Sequence, residues 1–164
     1  MLLSSERFIL ITLWMLGITG CLMIPERKRR EAWIAFLACQ AITWIGSLVQ
    51  VRLGWIAFPV REFPKATDLC LTTEFFFYPL ACAIYYIFEP KHSATFRICY
   101  SLLWVFGLTL FDWNLSVHTE VLDYKRYTWY WSGLDFAITF VAANIYTRWF
   151  FKSQALRSER RNLP

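Results

Sequence analysis

Pro25-Glu26-Arg27-Lys28-Arg29-Arg30-Glu31-Ala32 forms a dense basic turn between two apolar stretches. Phe8–Ile24 before it and Ala32–Val51 after it carry no charged residue. About 20 apolar residues cross the hydrocarbon of a bilayer, and Lys and Arg are retained on the cytoplasmic side. The stretch therefore reads as the elbow of a hairpin of two spanning helices, held inside the cell.

The rest of the chain follows the same pattern. With 57% hydrophobic and 20% aromatic residues in 164 positions, it holds more apolar side chains than a soluble domain of this size buries. Five spans are predicted, at 8–24, 32–51, 69–88, 98–117 and 127–147, so the expected fold class is all-α, an integral membrane bundle of five transmembrane helices. They form a single domain over 1–151, followed by a basic cytoplasmic tail at 152–164. The fourth span is the weakest, because only Ile98–Phe111 is free of charge and full length requires Asp112 inside it.

Charge sets the orientation. With the N-terminus outside and the C-terminus cytoplasmic, the inner segments hold eleven basic and four acidic residues, and the outer ones six and eight. The net +5 thus divides into +7 inside and −2 outside. Attraction to anionic lipid accounts for this basicity, and nucleic-acid binding is not needed. Arg27, Lys28, Arg29 and Arg30 of the elbow, with Lys152, Arg157, Arg160 and Arg161 of the tail, are the expected headgroup contacts. Trp33 and Trp149 fall at the inner boundary and Trp55, Trp113, Trp129 and Trp131 at the outer one, as interfacial indoles do. Trp14, Trp44 and Trp104 sit deeper and are expected to pack between helices.

Ile18-Thr19-Gly20-Cys21 resembles the box before a lipidated cysteine, but processing there would put both basic segments outside, against the charge rule. Gly20-Cys21 is read instead as a small pair at a helix interface. The five cysteines, without a CxxC pair, read as small hydrophobes. His92 and His118 fall on opposite sides of the membrane, so no metal site is expected.

Polar residues within the spans restrict how the helices face. Gln40, Thr43, Ser47 and Gln50 recur at intervals of three and four and share one stripe of the second helix. Ser101, Thr109, Asp112 and Ser116 line the fourth, and Ser132, Asp135 and Thr139 the fifth. The simplest role for these hydroxyls and amides is interhelical hydrogen bonding. The acids restrict more. Glu74, Asp112 and Asp135 lie about 8 to 12 Å from the same outer boundary at ~1.5 Å per residue. They are the candidate site: an outward-facing layer for a cation, a proton or a basic headgroup, with Gln50 beside it, Glu74 and Asp135 facing inward and Asp112 at the rim. The structural alternative, which is preferred, is an ion-pair cluster neutralised by Arg52, Arg61 or Lys65 from the second outer loop.

That loop, 52–68, is expected to lie on the membrane, anchored by Trp55, Phe58 and Phe63. Asp68 is placed to cap the third span, and Pro79 to kink it and free carbonyls near the acidic layer.

Phe58-Pro59-Val60-Arg61-Glu62-Phe63-Pro64-Lys65-Ala66-Thr67, followed by Glu74-Phe75-Phe76-Phe77-Tyr78-Pro79, resembles a family of small uncharacterised multi-pass membrane proteins of spore-forming Firmicutes. Glu6-Arg7-Phe8-Ile9-Leu10, Lys28–Phe36, Trp129-Tyr130-Trp131 and Arg148-Trp149-Phe150-Phe151 resemble it too. The resemblance implies a bacterial plasma-membrane protein and brings no catalytic residues or cofactor. The chain itself holds no plausible intramembrane Ser/His pair, no paired glutamates with histidines, no GxGD motif and no phosphatase-like histidine set, so an enzyme is not expected. An accessory or assembly protein, acting through helix–helix and lipid contacts with a membrane-protein partner or a second copy, is the expected function. A small transporter or cation-binding protein using the acidic layer is the alternative.

Overall fold

A computed structural model describes residues 2–90 and 93–161, with side chains over 5–90 and 93–154. Lys91, His92 and the side chains of Arg157, Arg160 and Arg161 lie outside the described residues. The chain is all-α, with five helices and one short strand pair among the described residues. Helix α1 is Leu2–Met23 and α2 is Arg29–Arg52, joined by a 3-10 turn at Glu26–Lys28. Helix α3 starts as a π-helical segment, Leu71–Phe77, and continues as an α-helix over Tyr78–Phe88. Helices α4, Ala94–His118, and α5, Trp129–Arg161, complete the bundle. α3 packs on α2 and α1, and α5 packs on α2 and α4.

Four of these helices are long and apolar enough to cross a membrane: 5–23, 26–52, 71–88 and 94–118. The weak member is therefore α5, not the fourth helix. Asp135, Asn144 and Arg148 dilute its apolar content, as do its tyrosines and tryptophans, whereas α4 carries only Arg97 and Asp112 as Asp, Glu, Lys or Arg residues, on either side of Ile98–Phe111. At ~1.5 Å per residue α5 is about 50 Å long, so the segment read as a tail continues as helix to Arg161. The outside of the bundle is apolar, from Leu22 and Phe8 on α1 to Phe96 and Leu103 on α4. The six tryptophans assigned to the two interfaces are all exposed.

The bundle has two ends. At the elbow end, Lys28 donates to the carbonyl of Ile87 (2.9 Å), placing a cation on the negative end of α3. Arg30 reaches Gln154 (2.6 Å) and stacks over Phe151, tying the far part of α5 to the start of α2. At the opposite, loop end, β1 (Ile56–Ala57) pairs antiparallel with β2 (Asp123–Tyr124). This strand pair removes Phe58 from the expected anchors of the loop. Phe58 is only 2% exposed and packs with Ile56, Leu69, Val121 and Leu122, because β2 offers backbone partners that draw the loop onto the bundle. Trp55 and Phe63 remain exposed.

The cap of α3 also differs from expectation. Asp68 pairs with Arg61 (3.4 Å), and the carboxylate of Glu62 accepts the N–H groups of Leu71 and Thr72, both at 3.0 Å, together with the Thr72 hydroxyl. Helix N-termini leave N–H groups orphaned, and an anion from eight residues upstream serves as well as an adjacent one. Thr72 in turn accepts from Trp14 Nε1 (2.8 Å), which stacks on Phe76 and locks α1 to the same turn. A Cβ at Gly17 would overlap the Phe76 ring, and one at Gly20 would come 2.8 Å from Ile84. The glycines make the interface, while Cys21 faces outward. Cys70 is more than a small hydrophobe, since its thiol donates to Glu62 (3.7 Å).

Glu62→Ala should lower stability by about 1–2 kcal/mol, because buried donors lose their acceptor, while Asp68→Ala should cost less than about 1 kcal/mol. Thermal unfolding in detergent checks this, and equal losses would contradict the assignment of the cap.

Candidate functional site

The site begins with a proline. Pro79 has no N–H, so a carbonyl one turn earlier loses its donor, and the π-wound segment widens the register just there. The polar stripe of α2 answers it. The Thr43 hydroxyl shares its one proton among the carbonyls of Cys39 (3.1 Å) and Gln40 (3.2 Å) on its own helix and Glu74 across the interface (3.3 Å), and Gln40 donates to the carbonyl of Phe75 (3.4 Å). One turn on, Ser47 donates to the Glu74 carboxylate, and Gln50 reaches across to Asp135 on α5 (2.6 Å). All four members of the predicted stripe thus meet the bundle interior.

Asp112 on α4 is the most densely bonded acid. It accepts from Tyr78 of α3 (2.6 Å), Tyr124 of β2 (2.5 Å) and Ser132 of α5 (2.5 Å). Asp135 accepts from Gln50 and from Tyr127 (3.4 Å). Glu74, Asp112 and Asp135 line one cavity of about 50 Å³, with Ser47, Gln50 and Tyr124 among its other walls. That volume holds a few waters and is far below the ~300 Å³ of organic-ligand pockets. The acids therefore share a layer, but their order is reversed. Asp112 is 7% exposed at the centre, and Asp135 is the half-buried member near the rim.

The expected countercharges are elsewhere. Arg61 donates to the carbonyls of Phe58 (2.7 Å) and Pro64 (3.4 Å) and pairs with Asp68, because the folded loop supplies those acceptors next to it in sequence. Arg52 is exposed at the end of α2, and Lys65 is exposed in the loop. Among the described residues no ion pair reaches Glu74, Asp112 or Asp135, whose partners are neutral hydroxyls and an amide. Also among them, no three His, Cys, Asp or Glu side chains are placed to hold one metal ion.

Tyr78, Tyr124 and Tyr127 were not legible as site residues. Tyr78 carries a weak signal, lying four residues after Glu74 and hence on its face. Tyr124 carries none, since its place depends on the pairing of β2 with β1. Burial, with the Asp112 carboxylate beside it, holds the Tyr124 phenol above its ordinary value of 10.0, so it stays a donor well into the alkaline range. A further buried acid, Glu6 on α1, lies outside the layer. Two ion pairs meet at the elbow end, where Glu89 joins Arg97 (3.3 Å) to Arg148.

No protein-family model, no curated protein and no solved structure matches the chain.

Tyr124→Phe and Ser132→Ala should each destabilise the fold by about 0.5–2 kcal/mol, the range of polar contacts inside membrane bundles. Ser116→Ala, on the same helix as Asp112 but outside the network, should stay within about 0.5 kcal/mol. Equal effects of all three in detergent unfolding would contradict the network.

Proposed function

We propose that the chain is a multi-pass protein of the bacterial plasma membrane, of the accessory or assembly kind, acting through its lipid- and partner-facing surfaces rather than through an internal binding chamber. One observation carries this reading: the polar groups of the core close on one another across four helices and leave a cavity of only about 50 Å³. A cavity of that size is too small for an organic substrate. The surfaces left for other molecules are the apolar flanks of α1 and α4, the basic elbow and the extended end of α5. The orientation proposed with it puts the N-terminus outside and the elbow in the cytoplasm, supported by the +7 to −2 charge division.

A second reading has its own support. Three carboxylates without a basic partner need positive charge from outside, a proton or a small cation, to rest in a low-dielectric interior. On that reading the layer is a monovalent-cation site.

The two readings separate in detergent-solubilised protein carrying Glu74→Gln or Asp135→Asn. For an accessory protein whose core is structural, unfolding temperature is insensitive to added Na⁺ or K⁺, and both variants remain folded. A cation-dependent rise in the parent that the variants lose would replace the accessory reading with the binding one. A C-terminal reporter active only in the cytoplasm should be active, and activity of an extracytoplasmic reporter there would refute the orientation.

A further inference from the structure

At the elbow end, remote from the acidic layer, a pocket of about 330 Å³ is lined by Lys28, Glu31, Tyr86, Glu89, Arg97 and Arg148. It gathers side chains from the elbow and from α2, α4 and α5 around the end of α3. A trough of about 580 Å³ shares Glu89, Arg97 and Arg148 with it and runs between α4 and α5 along Ile98, Leu102, Val105, Ala137, Val141 and Ile145. A charged pocket thus opens directly into an apolar channel on the outer face of the bundle.

The electrostatics of the pocket are those of an anion seat. Three cations stand against two acids. Glu89, its side chain 8% exposed, holds both guanidinium groups, and Asn144 accepts from Arg148 Nε (2.5 Å). The side chains of Arg97 and Arg148 are nevertheless 44% and 48% exposed, and each guanidinium has five N–H donors, more than these contacts use. Fixed arginine forks with spare donors match a phosphate oxygen cluster. The trough, within the ~300–1,000 Å³ range of ligand sites, has aliphatic walls on both helices and faces the apolar surround.

We infer that pocket and trough together hold one anionic glycerophospholipid, its phosphate between Arg97, Arg148 and Lys28 and one acyl chain along the α4–α5 trough. This inference rests on the membrane reading above and names the lipid class it would take. Basic pockets between helices at the cytoplasmic boundary are suited to such headgroups, and the trough makes this a seat for a whole lipid rather than for a free anion.

The test uses the full chain in neutral detergent, titrated with phosphatidylglycerol, phosphatidylcholine or inorganic phosphate and read by native mass spectrometry and thermal unfolding. One phosphatidylglycerol should stay bound per chain and raise the unfolding temperature, and neither of the other two should do so at equal concentration. Arg97→Gln with Arg148→Gln should weaken retention about tenfold or more, while Lys65→Gln with Arg126→Gln, an equal loss of exposed charge at the loop end, should change it by no more than about twofold. Ala137→Phe narrows the trough with every charge in place and should also weaken retention, which decides the matter if loss of Arg148 unfolds the chain. Equal binding of phosphatidylcholine, stabilisation by phosphate alone, unchanged retention in Ala137→Phe, or equal losses in the two charge pairs would overturn the site. Recovery of the chain outside the membrane fraction would instead overturn the membrane reading itself.

Discussion

The docking of one polar helix face onto a π-wound turn governs the interior of this bundle. Pro79 removes a donor and the wide turn before it leaves carbonyls short of partners inside the bundle. Thr43 and Gln40 meet the backbone, and Ser47 and Gln50 meet the acids. A single stripe, at helical spacing, thereby fixes the rotation of α2 about its axis and its register along α3. α5 is then drawn in through Asp135, and α4 through the chain from Tyr78 to Asp112 to Ser132.

Burial makes such satisfaction obligatory, and this explains why much of the interior was legible in the sequence. Four helices long and apolar enough to cross a membrane, the α2 stripe and the meeting of Glu74, Asp112 and Asp135 at one cavity all follow from local periodicity and from the cost of burying a polar group. What escaped depends on contacts distant in sequence. Glu62 outcompetes Asp68 as a cap only because the loop folds back, and Phe58 becomes core only because β2 lies beside β1. Tyr124 reaches Asp112 through the same pairing. Arg61 was assigned to the acids by charge, yet its nearest acceptors are the carbonyls of its own loop. The weakness of α5 was misplaced onto α4 because a single aspartate was weighed more heavily than a spread of polar and aromatic residues.

The two ends of the bundle solve different problems. The loop end is closed by a compact apolar cluster and a strand pair, which seal α1, α3 and α4 together. The elbow end is held by charge, with Glu89 between two arginines and Lys28 on the last turn of α3. Neutral hydrogen bonds hold the buried centre and ion pairs the more exposed end, as the lower cost of charge near the surface requires. The carboxylates thus sit where hydroxyls and an amide serve them, and the guanidinium groups sit where they are half-exposed.

The central claim is that Ser47 on α2 and Glu74 on the π-wound turn are energetically one unit. A double-mutant cycle with Ser47→Ala and Glu74→Gln, read as unfolding free energy in detergent or bilayer, measures this directly. The account predicts a coupling of about 0.6–1.7 kcal/mol, as for polar pairs inside membrane bundles. Additivity to within about 0.3 kcal/mol would contradict it, because two side chains that do not share a bond lose their contributions independently.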